Sequence, residues 1–277
     1  MGCEKSELII GELEIEIQER IIMVDLHTHI LPKLDDGADS LEEALEMLEL
    51  AIESGVDTIV ATPHSNQRGR FENYNTEYFV GAYESFCRKV KKAELPIKIL
   101  PGMEIFAAEN IGFAIERGML IGLNHSNYYL VEFPFDAEIW WIGERLEQIL
   151  DKGKIPLIAH PERYSGVQEY PAVVWEWLQI GCYTQINKGS VLGKFGRRVQ
   201  YAAENLLRND LVTCVASDAH SPYMRTTYLG DIRKYLNDWL GESWTYRLLE
   251  KNPRRIINCE KIPKHGNMPE KRTWLFC

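Results

Sequence analysis

Apolar positions in this chain gather into short runs, separated by longer stretches with helical spacing. Seven runs, residues 21–26, 58–61, 97–100, 128–133, 156–159, 182–186 and 212–216, are four to six residues long. They are rich in Ile, Val, Leu, Tyr and Phe and read as buried strands. Between them, apolar residues recur at three- and four-residue intervals. Ser40-Leu41-Glu42-Glu43 forms a capping box ahead of ALEMLELAIESG, in which Gly55 is a C-terminal stop. Further helices are predicted over 75–93, 137–152, 170–181, 195–209, 230–240 and 244–251. Strands alternating with helices at about one βα unit per repeat imply either a closed parallel barrel or a doubly wound open sheet.

Polar residues decide between the two. His27 and His29 follow the first run, His64 the second, Glu104 the third and Glu132 the fourth. His160 follows the fifth, Asn187 the sixth, and Asp218 with His220 the seventh. An open sheet concentrates its ligand-binding groups at one switch point. Polar groups after every strand are what a barrel needs to focus a site on its axis. The expected fold is α/β, a distorted (β/α)7 TIM-like barrel in a single domain.

Composition narrows the class. The chain has 277 residues, 45% of them hydrophobic, enough for one large core. No apolar run reaches membrane-spanning length, and MGCEKSELII lacks a secretory pattern, so a cytoplasmic protein without membrane insertion is expected. Met1-Gly2-Cys3 matches an acylation signal only loosely. The six cysteines form no CxxC pair and read as reduced thiols. A net charge of −10 argues against nucleic-acid binding. That sum counts any metal-binding carboxylates as negative, although a loaded site can be positive.

The candidate ligands are weak singly. In a strand, residues i and i+2 share a face, so His27 and His29 project together, as do Asp218 and His220. His64, in ATPHSN, would alone be an ordinary helix-start histidine. Glu104 in LPGMEIF and Glu132 in YYLVEFPF sit among apolar neighbours, where an unpaired carboxylate is costly and the plain alternative is a buried ion pair. Five histidines and several acids after predicted strands share one economical explanation, a polynuclear metal site. Mixed imidazole and carboxylate donors suit Mn²⁺, Fe²⁺ or Zn²⁺, and the oxygen-rich share favours Mn²⁺. With no cysteine at a relevant strand end, a structural zinc-thiolate site is not expected.

In order, the motifs are D-L-H-T-H, D-D-G, T-P-H, G-x-E, E-F-P, A-H-P-E-R-Y and S-D-A-H. This series resembles the PHP (polymerase and histidinol phosphatase) superfamily, and within it the manganese-dependent bacterial protein-tyrosine phosphatases of the CpsB/CapC type, associated with capsule and exopolysaccharide synthesis. The resemblance covers residues 23–258. It leaves residues 1–22 as an N-terminal extension, where ELEIEIQER is an added strand or helix, and 259–277 as a tail expected to pack poorly. His125 and His265 match no motif and are expected at the surface.

The resemblance implies three divalent ions. One takes His27, His29, Glu104 and Asp218; a second shares Glu104 and adds Glu132 and His160; a third takes Asp36, His64 and His220. Asp36 and Glu132 stand where other branches use histidine, which marks the tyrosine-phosphatase branch. Arg163 and Arg225 match phosphate-contacting arginines, and with Asp218 and His220 form the implied catalytic set. Four ligand carboxylates bring −4 and three divalent ions +6, a cationic site for a phosphate dianion. A hydroxide bridging two ions would attack phosphorus in line, with the arginines holding the non-bridging oxygens.

No Cys-x5-Arg loop is present, and INKGSVLGKFG (186–196) lacks P-loop order and reads as a loop lining the barrel mouth. Phe106, Phe135, Tyr164 and Tyr223 follow strand-end ligands and serve either as a rim for phosphotyrosine or as ordinary barrel packing. The expected substrate is a phosphotyrosine protein, the tail of a bacterial tyrosine kinase. A histidinol-phosphatase-like enzyme shares the metals and fold. An amidohydrolase would also open on H-x-H but close its motifs differently. A non-catalytic, metal-loaded adaptor for the kinase is the alternative of another class.

Overall fold

The structure, a computed structural model, describes residues 22–269. The segment ELEIEIQER, the acylation-like start and residues 270–277 lie outside the described residues.

Among the described residues, nine strand segments are present: β1 (Met23–Thr28), β2 (Val56–Ala61), β3 (His64–Ser65), β4 (Lys98–Pro101), β5 (Glu104–Phe106), β6 (Tyr128–Glu132), β7 (Ile155–Ala159), β8 (Tyr183–Asn187) and β9 (Cys214–Ala216). All pairs are parallel, in a three-stranded sheet ordered β1-β2-β4 and a six-stranded sheet ordered β3-β5-β6-β7-β8-β9. The chain runs from β2 into β3 across Thr62-Pro63, and from β4 into β5 across Gly102-Met103. Each broken pair is therefore one stave of a ring. A bridge between Thr28 and Ala219 closes that ring, with Asp218 N–H donating to His27 O and His29 N–H to Ala219 O, both at 2.9 Å. The seven expected staves are present, two of them interrupted.

The interruptions have local causes. Pro63 has no N–H for the ladder. A Cβ on Gly102 would lie 2.8 Å from Val60 Cγ1, so only glycine allows that close approach. After each break the chain resumes as a strand, and the first residue of the new segment is His64 or Glu104, which pair with each other in register. On β1, three steps from Asp25 to Thr28 face two from Ile59 to Ala61, a β-bulge beside His27. Bulges at barrel rims commonly re-aim a side chain.

Below the site, Val24, Leu26, Val60, Leu100, Leu130, Leu157 and Cys214 form an apolar cluster of alternate strand positions. Met23, Ile59, Val131, Ile158 and Val215 belong instead to the larger core with the surrounding helices. That two-residue alternation is the signature of a barrel wall.

The first helix, Leu41–Glu53, is capped by Ser40 Oγ, which accepts the Glu43 N–H at 3.1 Å. Glu43 reaches back to Asp39 N–H at 3.0 Å, one residue earlier than a standard capping box. Gly55, at φ 93°, ends the turn. Helices Glu77–Lys92, Ile139–Asp151, Ala172–Ile180, Arg197–Arg208 and Gly230–Leu240 fall within their predicted spans. The stretch expected over 244–251 is longer: Glu242–Tyr246, a wide turn over Arg247–Lys251, then Asn252–Ile257. Pro253 does not stop it, because it sits in the first turn of the final segment, where its missing N–H costs little. Among the described residues, no helix is long and apolar enough to cross a membrane.

Two expectations for the chain's end are corrected. The segment after Cys259 does not pack poorly where it is described. Ile262 is buried in the lower cluster, and the Tyr128 and Tyr183 hydroxyls donate to Glu260 O and Ile262 O at 2.8 Å. Both tyrosines start strands, so the segment covers the barrel's N-terminal end. His265 is not a free surface residue: Nδ1 lies 2.7 Å from Asp210 O and Nε2 3.1 Å from Thr213 Oγ1. His125 is exposed, as expected.

Candidate metal centre

All nine sequence-expected ligands converge at the C-terminal mouth of the barrel. At the end of β1, His27 Nε2 and His29 Nε2 lie 3.2 Å apart. Glu104 Oε2 is 3.1 and 3.2 Å from them, and Asp218 Oδ1 3.4 and 3.5 Å. Four donors about 2.1 Å from one ion are separated by roughly 3.4 Å in a tetrahedral arrangement. These residues therefore fit a metal ion. His64 Nδ1 is 3.0 Å from the same Glu104 oxygen and 2.8 Å from Glu132 Oε1. His64 Nδ1 and Glu104 Oε2 are nonetheless buried without hydrogen-bond geometry to any partner among the described residues. Donor atoms aimed past one another at a common point are what a shared cation would satisfy.

A further group gathers at the outer edge. Asp36 Oδ1 is 3.4 Å from His64 Nε2 and 3.6 Å from His220 Nε2, and the His29 and His220 rings are 3.9 Å apart. Three sets thus converge: His27, His29, Glu104 and Asp218; His29, Asp36, His64 and His220; and His64, Glu104 and Glu132. In the last of these sets His64 meets Glu104 and Glu132, while His160 Nε2 sits 2.9 Å from the other Glu104 oxygen.

The charges explain one another. Burial opposes protonation of His27 and His29, but Glu104, Asp218 and Asp35 outweigh it and raise both imidazoles. At His64 burial is likewise overcome by Glu104 and Glu132, and its pKa rises to about 9. Burial would raise Glu104 and Asp218, yet the neighbouring imidazoles, joined by Arg225 at Asp218, hold both well below the usual carboxylate range. His220 falls to about 2, through burial first and then the His29 and Arg225 charges. Without ions, protons on some imidazoles balance the carboxylates.

Reading the sequence missed the groups that hold these ligands. Asp35 Oδ2 is 2.6 Å from His29 Nδ1 and accepts the His64 N–H at 2.9 Å. Gln185 Oε1 is 2.8 Å from His27 Nδ1, and Gln67 Nε2 donates to Glu132 Oε1 at 2.7 Å. Such partners fix which ring nitrogen faces the metal. The D-D-G loop can place Asp35 because Gly37 lies against His29, where a Cβ would come within 2.0 Å of His29 O. A signal for Gln185 was present. It alternates with Asn187 on one face of YTQIN, and two polar residues facing into a barrel need a reason.

The mouth holds a cavity of about 320 Å³, lined by Asp36, His64, Glu132, His160, Arg163 and Arg225 among others. Arg225 Nη2 pairs with Asp218 Oδ2, and its Nε donates to Asp218 O at 3.1 Å. Arg163 Nη1 stands 3.7 Å from the same carboxylate. Phe195, from the expected mouth-lining loop, lies under both guanidinium groups at 4.7 and 5.9 Å, and Phe135 lies 4.2 Å from Arg163. His160, Asp218 and Arg225 have φ of 38°, 51° and 51°. Left-handed backbone at non-glycine residues is costly, and such strain collects at functional sites.

The rim expectation needs one correction. Phe106 and Phe135 line the cavity, and Tyr223 is exposed with its hydroxyl 3.3 Å from Glu46. Tyr164 is fully buried, its hydroxyl bonded to Ala159 O and Phe133 N–H, so it packs the wall. Arg70 and Phe71, not anticipated, border the site: Phe71 stacks on His64 at 5.4 Å and Arg70 approaches Asp36 at 3.5 Å.

A parallel barrel with converging imidazole and carboxylate donors at its C-terminal mouth, and two arginines beside them, defines a barrel with a candidate metal centre open to an anion. The chain matches the family described as "Capsular polysaccharide synthesis, CpsB/CapC" over residues 23–258, and belongs to that family. The tyrosine-protein phosphatase YwqE of Bacillus subtilis (strain 168) is 33% identical over 254 residues, 92% of this chain and 99% of that protein. The tyrosine-protein phosphatase CpsB of Streptococcus pneumoniae is 34% identical over 245 residues, 85% and 98% of the respective chains. A crystal structure from work on YwqE and CpsB, described as unique metal-dependent tyrosine phosphatases, aligns with a TM-score of 0.83 at 32% identity. It covers 90% of this chain and 100% of that one. The family suggested by the motifs is the family found.

Proposed function

We propose that this chain is a metal-dependent protein-tyrosine phosphatase, acting in the cytoplasm on the tail of a bacterial tyrosine kinase that regulates capsule or exopolysaccharide synthesis. The observation that carries the reading is the convergence of His27, His29, Glu104 and Asp218 within ion-binding distances, with Arg163 and Arg225 directly beside them. Three ions would be held by His27, His29, Asp36, His64, Glu104, Glu132, His160, Asp218 and His220, with manganese favoured by the mixed donors. Bound there, they supply Lewis acidity toward phosphoryl oxygens and a water activated for attack on phosphorus.

The chain's own groups do the rest. Arg163 and Arg225, backed by Phe195, present planar forks to the non-bridging oxygens, an arrangement that lysine cannot copy. Asp218 ties Arg225 to the ligand set, so the phosphate and its activating centre keep a fixed separation. Phe106 and Phe135 give an aryl ring an apolar wall beside the phosphate. Phenolate, with a pKa near 10, leaves without strong acid help. Thiol chemistry at the site is disfavoured: among the described residues no cysteine lines the cavity, and burial pushes Cys182 up to about 12 and Cys214 higher still.

The test is turnover of a phosphotyrosine peptide, a phosphoserine peptide and histidinol phosphate, each with Mn²⁺ and with chelator. The expected result is phosphotyrosine preference that chelator abolishes and Mn²⁺ restores. Full activity under chelator, or a strong preference for histidinol phosphate, overturns the reading.

Asp35→Asn is expected to weaken metal binding about 10- to 100-fold, because the imidazole of His29 loses the carboxylate that orients it. Activity should fall at limiting metal and recover in excess. An unchanged metal titration would show that Asp35 orients nothing.

A further inference from the structure

Beside the catalytic cavity lies a second hollow of about 480 Å³, between residues 136–140 and the turn of helix Ser165–Glu169. Asp136, Glu138, Trp140, Glu169 and Tyr170 line it. Its floor is tight. Gly166 lies against Ile139, where a Cβ would sit 2.8 Å from Ile139 Cγ1, so a larger residue there would fill it. The two hollows are neighbours along the chain twice over. Phe135 lines the catalytic cavity and Asp136 the second; Arg163 lines the first and Ser165 the second. The Ser165 N–H donates to Phe135 O at 2.7 Å and fixes the two segments together.

The lining is unusual for plain surface. Trp140 is 63% exposed, Tyr170 is also open to solvent, and exposed Phe135 stands one residue before the lining. Exposed aromatics grouped about a concavity mark a contact surface more often than chance packing does. Three carboxylates rim it, and among the described residues the cation paired with them is Arg198, 3.1 Å from Glu169. Asp136 and Glu138 have no such partner among the described residues. The hollow is thus apolar at its walls and negative at its edge, opposite in sign to the phosphate-binding mouth.

We infer that this hollow is a substrate subsite that takes a basic and apolar segment of the protein substrate next to its phosphotyrosine. The inference rests on the phosphatase reading above and adds to it a sequence preference. With phosphotyrosine seated between Arg163 and Arg225, an extended chain advances about 3.3–3.6 Å per residue. Flanking residues then pass Phe135 and enter the hollow. Lysine or arginine stems would lie on Trp140 and Tyr170 while their charges meet Asp136 and Glu138. An acidic flank would meet like charge there.

The experiment compares two phosphotyrosine peptides of equal length, one flanked by Lys, Arg and Leu, the other by Glu, Asp and Leu, with p-nitrophenyl phosphate as a flank-free control. The basic peptide is expected to have about 10-fold higher kcat/KM, through KM, an advantage that shrinks at high salt. Asp136→Lys combined with Glu138→Lys should reverse the preference, and Trp140→Ala should raise KM for the basic peptide. Both should leave p-nitrophenyl phosphate turnover unchanged. Equal kcat/KM for the two peptides, or a preference the charge reversal does not move, overturns the subsite. Failure to hydrolyse p-nitrophenyl phosphate at all counts instead against the phosphatase reading. In that event peptide Kd values decide: tighter binding of the basic peptide by the native protein than by the charge-reversed variant supports the subsite, and equal binding overturns it.

Discussion

Glu104→Ala is expected to lower phosphotyrosine-peptide turnover by about 10³-fold or more, the largest loss from any single substitution here. Its two oxygens lie 2.9–3.2 Å from four imidazoles, those of His27, His29, His64 and His160. No other carboxylate among the described residues approaches so many of the proposed imidazole ligands; Asp218 reaches three. Removing it takes away the one anion common to the inner groupings, so metal content should fall together with rate. Glu104→Gln keeps the volume and separates a charge effect from a packing effect; it should lose nearly as much. The metal-free protein offers a second readout. Below about pH 9, His64 carries a proton that an incoming cation must displace, so metal affinity in the native protein should rise from pH 6 to pH 8. In Glu104→Gln that dependence should flatten, because burial, now less opposed, favours the neutral imidazoles. Native-like activity and metal content in Glu104→Gln would refute its bridging position.

Arg225→Ala and Arg163→Ala are each expected to reduce turnover of both the phosphopeptide and a small aryl phosphate by roughly 10²–10³-fold. The equal effect on both substrates follows from contact with the phosphate, which they share. Arg163→Ala should leave metal content unchanged, since its guanidinium stands 3.7 Å from the Asp218 carboxylate and the substitution keeps its backbone. Arg225→Ala should also loosen Asp218, which it contacts through both Nη2 and Nε. Some metal loss is therefore expected there and not at Arg163. Arg→Lys at either position should recover little, because the ammonium cannot copy the fork or the stacking on Phe195. A loss confined to the peptide would reassign the arginines to flank binding, and steady-state kinetics on the two substrates distinguishes the cases.

Much of this molecule was legible before any coordinates. A strand buried on both faces must be apolar, and a carboxylate or imidazole at its end interrupts that pattern visibly, as Glu132 does after YYLV. Runs and interruptions are local properties, so seven staves and nine converging groups could be read one at a time. Helix boundaries followed from equally local signals, such as Ser40 and Gly55 around the first helix. The misses share a cause. The role of Asp35 depends on a loop folding back onto His29 over a glycine with no room for a Cβ, and Tyr164 is wall rather than rim because its hydroxyl finds Ala159 O beneath.

By itself, then, the sequence determined the period of the chain, the parallel class of the sheet and the identity of the groups that meet at its mouth. It did so because the burial of each strand and the cost of each polar interruption are settled within a few residues. The tertiary structure alone decided which groups are neighbours. His27 is oriented by Gln185, 158 positions away, and Ser217 N–H is held by Asp25, 192 positions away. His64 comes to lie against Glu132, and residues 259–269 cover the far end of the barrel instead of hanging free. These depend on ring closure, on the breaks at Pro63 and Gly102 and on the bulge beside His27. A one-residue change of register rotates a side chain from one face of a strand to the other, and that choice is made by the packed whole.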